Sequence, residues 1–176
     1  MGFSKLQGHE DYAYLVAVRA ARQAVKALML PEGGTAAYGA SLAGRWDENW
    51  EFVIDDDEDE EIQHRRRRSL GDCSHVWHRL CTLVSPKAQA VLVPLLEDYA
   101  ELLPARYEGR RILVTNVTRR VARERLESVG PDDVFRIEPV GFDIFVGKNV
   151  RKAIEEAGLT GMKLVAFDPK ARVPFV

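Results

Sequence analysis

The chain has 176 residues, 46% hydrophobic and 30% charged, enough to bury one genuine core. Its formal net charge of -2 excludes a global attraction to nucleic acid or to an anionic membrane, so any electrostatic partner must be served by a local patch. Two cysteines, Cys73 and Cys81, are too few for the disulfide framework of a small secreted protein, and a reducing cytoplasm is the expected compartment. The N-terminus has no apolar core behind a basic start, and Leu6 stands where a myristoylation signal has Ser or Thr, so an unprocessed, unanchored protein is expected.

Residues 12–30 predict an amphipathic helix. Tyr14, Val18, Ala21, Val25 and Leu28 form one stripe, while Arg19, Arg22, Gln23 and Lys26 fall opposite. Those charges exclude a membrane span, and Pro31 with the glycines at 33 and 34 stops the helix. Residues 1–45 thus read as an N-terminal helix and connector. Residues 50–54 read as a short strand leading into VIDDDEDEEIQHRRRRSL. There, seven consecutive acids (Asp55, Asp56, Asp57, Glu58, Asp59, Glu60 and Glu61) precede four consecutive arginines at 65–68. Like-charge repulsion and a shortage of apolar side chains predict a charged loop over 55–69.

Residues 76–84 alternate as a strand does. Ser85 then supplies an N-cap and Pro86 a first helical position. Pro94 is expected to kink or divide that helix, because its ring removes one backbone hydrogen bond and collides with the preceding turn. Residues 110–118 predict a strand, 119–130 a charged helical turn or a loop closed by Gly130 and Pro131, and 133–138 another strand. The best-formed unit follows: a strand at 142–146, a helix at 148–157 stopped by Gly158, and a strand at 162–167. This order predicts an α+β fold in one domain, 1–176, with helices flanking a mainly antiparallel or mixed sheet. CTLVSPKAQAVL and DIFVGKNVRKAI share the order strand, turn, helix, a weak sign of internal duplication.

Cys73, His75, His78 and Cys81 are ligand types suited to zinc, but all four lie within nine residues, whereas zinc sites pair close ligands across a long loop. On a single strand His78 would also point away from the other three, so no metal site is assigned. The histidines, at 9, 64, 75 and 78, lie in no nucleophile-elbow, zincin or cysteine-protease context. The glycines at 33, 34, 39 and 44 make no phosphate loop, so neither catalysis nor a cofactor is expected. Of the tryptophans, Trp50 reads as core and Trp46 as the one nearer the surface, where it could anchor an interface. The acidic run could complement a basic cleft and steer association. The arginines could bind phosphate, or the two runs could neutralise each other in a solvated hairpin. Charge alone leaves these readings open.

Three segments taken in order resemble a family of bacterial immunity proteins from polymorphic toxin systems. They are LVSPKAQAVLVPLLEDYAELLPARYEGRRILVTNVT (83–118), DVFRIE (133–138) and DIFVGKNVRKAIEEAGLTGMKLVAFDP (143–169). The family runs from a Val-Ser strand end before a helix, through Glu-Leu-Leu-Pro and a strand closing on Asn-Val, to a Phe-Arg strand and a final strand, helix and Gly-x-x-Gly turn. Residues 71–169 are the family-like core, and GRWDENWEFVIDDDEDE is similar to the family's tryptophan-containing start before a variable acidic stretch. Two features depart from the pattern: Gly147 replaces the Ser expected before the last helix, which predicts a lost side-chain cap, and the N-terminal helix is longer and more basic.

The resemblance implies a non-catalytic cytoplasmic protein that occupies a cognate toxin. Asp55, Asp56, Asp57, Glu58, Asp59, Glu60, Glu61 and Trp46 are then the candidate partner-binding residues, with no cofactor and no membrane association. Two other classes stay open. One is a nucleic-acid-associated module using arginines 65–68, against which seven carboxylates within a Debye length argue. The other is a metal-binding module using Cys73, His75, His78 and Cys81.

Overall fold

The computed structural model describes residues 3–29, 39–54, 69–76, 80–138 and 143–167. In chain order, β1 (Phe3–Gly8) and β2 (Leu15–Ala17) lead into α1 (Arg19–Met29). β3 (Glu51–Ile54), β4 (Cys73–Val76) and β5 (Leu80–Leu83) precede α2 (Pro86–Leu96). β6 (Ala100–Tyr107), β7 (Arg110–Val117), β8 (Arg120–Val121), β9 (Val134–Ile137) and β10 (Ile144–Val146) follow, then α3 (Lys148–Glu156) and β11 (Met162–Phe167). Short 3-10 turns occupy Ala43–Arg45 and Arg123–Ser128.

The strands form two structures. β2, β3, β6, β7, β5 and β4 close into a barrel, and β11, β1, β10, β9 and β8 make a five-stranded sheet in that order. Most pairs are antiparallel; β2 with β4, β3 with β6, and β8 with β9 are parallel. The fold is therefore α+β with mixed sheets.

One arrangement occurs twice. β5 and β6 are joined through α2 while β7 lies antiparallel between them. In the same way β10 and β11 are joined through α3 while β1 lies antiparallel between them. The two segments that share a sequence order thus occupy equivalent places. α2 and α3 pack on each other, and Leu92, Leu96, Val150 and Ile154 meet Leu6, Cys81 and Met162 in one buried cluster. A second cluster joins barrel residues Leu15, Phe52, Leu80, Leu103 and Val114 to Ala21 and Val25 of α1. Each fully buried side chain of this kind contributes about 1.5–3 kcal/mol.

Four expectations need correction. The predicted helix at 12–30 begins only at Arg19, because Leu15, Val16 and Ala17 are all buried and pair as a strand with both β3 and β4. Barrel closure overrides the helical periodicity there. The predicted strand at 76–84 is two strands, with Cys73 opposite Leu83 and Val76 opposite Leu80. Pro94 does not divide α2: the helix runs on to Leu96, and the Glu97 N–H donates to the Val93 carbonyl at 3.1 Å. Lying in the last turn, the proline costs only one ladder bond. β1 and β6 were not anticipated. Pro104 sits in β6 opposite Leu113, before the stretch where β3 pairs along the other edge, so its missing N–H breaks no ladder bond.

Candidate partner-binding surface

One end of the barrel carries the two ends of the charged segment that sequence reasoning associated with a partner. β3 runs parallel to β6, pairing Phe52 with Tyr107, and β6 turns into β7 through Glu108 and Gly109 at φ 48 and 73. Ile54 and the hairpin tip therefore share an end. The acids 55–61 and the arginines 65–68 lie outside the described residues. Their flanks do not: Ile54 pairs with Leu15, and the Ala13 N–H donates to the Ser69 carbonyl at 3.3 Å. Both ends of the charged segment are thus rooted beside the start of β2.

At this end lies an open cleft of about 430 Å³, with Leu70, Val84 and Ile112 on its apolar side and Arg110 and Arg111 on its rim. Arg110 pairs with Glu108 at 2.8 Å, and both side chains are exposed. Tyr107 is buried, and burial together with the neighbouring Glu108 carboxylate pushes its phenol pKa up, so the ring presents a neutral edge.

The opposite wall of the cleft is a polar clamp between the two halves of the molecule. The Asp72 carboxylate accepts from Ser85 Oγ at 2.7 Å, from the Thr160 N–H at 3.0 Å and from Thr160 Oγ1 at 2.9 Å. The Cys73 N–H donates to the Thr160 carbonyl at 3.0 Å. Burial alone would raise the Asp72 pKa, but the hydrogen bonds from Ser85 and Thr160 outweigh it and hold the carboxyl below its ordinary value. With these acceptor sites filled, Asp72 is a clamp and not a base. Gly161 makes the approach possible: its φ is +90, and a Cβ there would collide with the Cys73 carbonyl. The Gly-x-x-Gly turn is thus a helix stop at Gly158 and a seam at Gly161.

Trp46 is half-buried, as befits a residue nearer the surface, but it is already engaged. Its indole N–H donates to the Pro104 carbonyl at 2.6 Å, and its ring meets Trp50 edge-on at 4.7 Å and stacks on Phe52 at 6.4 Å. Trp50, expected in the core, is only half-buried; Phe52 is the fully buried aromatic of this group. The Phe-Arg pair of β9 is entirely internal, with Phe135 and Arg136 both at 0% exposure and Arg136 Nε donating to the Val117 carbonyl at 3.0 Å.

Sequence reasoning missed one further node. Glu101 accepts from the Leu42 N–H at 2.7 Å, from Asn116 Nδ2 at 2.9 Å and from the Ser41 hydroxyl, pinning the chain before β3 to the barrel rim. Nothing local to Glu101 signals this, because its partners lie far away in sequence.

Cys73 and Cys81 are free and buried. The adjacent Cys81 thiol and burial both push the Cys73 pKa far up, so it stays a neutral thiol, while Cys81 Sγ lies 3.4 Å from Met162 Sδ. His75 lies on β4 in register with Cys81, and His78 falls outside the described residues. Among the described residues, no three or more His, Cys, Asp or Glu are placed to hold a metal, and no helix is long and apolar enough to cross a membrane. No protein-family model matches the chain, and no curated protein matches it.

Proposed function

We propose that this chain is a cytoplasmic immunity protein that binds and neutralises a cognate bacterial toxin domain without catalysis. The observation that carries the reading is the ordered set of segments that resemble the immunity family of polymorphic toxin systems.

The barrel end that roots the charged segment is the proposed partner surface. There the acids Asp55 to Glu61 would steer a basic cleft, such as that of a nuclease, towards the protein. Trp46 would contribute only its solvent-facing edge, since its indole N–H is already committed to Pro104.

The test is purification from the native host through a C-terminal tag, identification of what stays bound, and assay of the purified pair. The expected result is a stoichiometric partner carrying a toxin domain whose activity is lost on one-to-one mixing. Recovery of the chain alone, or a toxin that stays active in the complex, overturns the reading.

A further inference from the structure

We infer that the β6–β7 hairpin tip and its adjoining cleft form a docking site for an acidic segment of a partner protein, one that carries an apolar side chain next to its carboxylates. The inference rests on the partner-binding reading above and gives the chemistry of a second element of that partner, separate from the basic cleft that would meet the acids 55–61.

Arg106 and Arg111 are directly opposite each other across the hairpin, and both are exposed. Neither guanidinium has a carboxylate or any other polar partner among the described residues. Like charges directly opposite on neighbouring strands are destabilising, by roughly 0.2–1 kcal/mol. A surface that keeps such a pair works against its own stability, as sites shaped for a ligand often do. A carboxylate bridging the two guanidiniums removes the repulsion and gains charge-assisted, bidentate hydrogen bonds.

Arg110, the residue before Arg111, lies on the other face of the hairpin, cross-strand from Tyr107. Among the described residues Arg110 is held by Glu108, in an ion pair whose side chains are 74% and 63% exposed. Such a pair is worth little in water, so Arg110 can exchange Glu108 for an incoming carboxylate at small cost. Beside these cations the cleft offers the half-buried Leu70 and Val84 as an apolar surface. A peptide with an aliphatic side chain flanked by Asp or Glu satisfies both halves at once.

Nucleic acid fits less well. Its phosphates call for cations spaced along a track, whereas these arginines are clustered at one hairpin tip. Bases seek an exposed aromatic face to stack on, and among the described residues the aromatic ring lining the cleft is that of Tyr107, at 9% exposure.

The experiment is fluorescence anisotropy on the full chain with two labelled probes: a short peptide alternating Glu with Leu, and an oligothymidylate of equal charge. The wild type should bind the peptide, more weakly as salt rises, and R106Q/R111Q should bind it at least about tenfold more weakly. Folding of the variant is checked by its melting temperature, which should equal or exceed that of the wild type because repulsion has been relieved.

Failure of the wild type to bind the peptide, equal binding by the double variant, or tighter binding of the oligothymidylate each overturns the inference. The two readings also fail separately. If a captured toxin binds R106Q/R111Q as tightly as the wild type, the docking site is wrong while the immunity reading stands. If the peptide binds as expected but no toxin is captured, the immunity reading is wrong while the docking site stands.

Discussion

The two helices that share the central core begin in opposite ways. At α2, Ser85 supplies the cap: its Oγ accepts from the Ala88 N–H at 3.0 Å and donates to Asp72. At α3, Gly147 has no side chain to offer, and the side-chain cap is absent, as the sequence predicts. A backbone loop takes its place. The Asn149 N–H donates to the Pro131 carbonyl at 3.0 Å, and the Gly147 N–H donates to the Asp133 carbonyl at 2.9 Å. A Cβ at 147 would collide with the Pro131 carbonyl that does this capping. One helix start is thus satisfied by a side chain, the other by a backbone loop that a side chain would push away. The comparison teaches that a missing capping residue can mark a close approach and not a defect.

The comparison can be broken or sharpened experimentally, beginning with the largest effect. Gly161→Ala at the seam combines a positive φ with a backbone collision, so chemical denaturation should show a loss of about 3–5 kcal/mol. A loss below 1 kcal/mol would show that the Asp72–Thr160 seam can open at little cost.

Gly147→Ser sharpens the comparison directly. If α3 merely lacked a cap, serine would stabilise it; the collision with Pro131 instead predicts a loss of about 2–3 kcal/mol in the same assay. A gain would overturn the backbone-capping account. Ser85→Ala removes the side-chain cap of α2 and one donor to Asp72, with an expected cost of about 1–2 kcal/mol.

The smallest effect is a pH dependence. Asp72 in the fold has a pKa below its ordinary 3.8, so its contribution is fully present above that value and is lost as pH falls through the lower folded value. Burial alone would raise the Glu101 pKa, but hydrogen bonds from the Leu42 and Ala43 N–H groups, the Ser41 hydroxyl and Asn116 hold it below 4.5, so it acts with the same sign. Stability measured on acidification should therefore fall in this range, and Asp72→Asn should flatten part of the fall. An unchanged acid limb in Asp72→Asn would mean that the clamp contributes no linkage.

Local signals were legible where they depend on neighbours a few residues apart. Ser85 and Pro86 start α2, Gly158 stops α3, and apolar alternation marks β7, β9 and β11. The α+β class followed from that order of elements. The charged segment was equally visible, though its residues lie outside the described structure. What misled the reading was local pattern contradicted by distant partners. Leu15–Ala17 continue a helical stripe but are required as a barrel strand.

By itself, then, the sequence determined the helices with clear starts and stops, the fold class and the charge that any partner must meet. Only the tertiary structure decided barrel closure, the place of β1 between β10 and β11, and the reasons for Gly147 and Gly161. Asp72 and Thr160 lie 88 residues apart, and Ser41 and Glu101 lie 60 apart. Periodicity and capping are properties of adjacent residues, whereas close backbone approach arises only when distant segments are brought together.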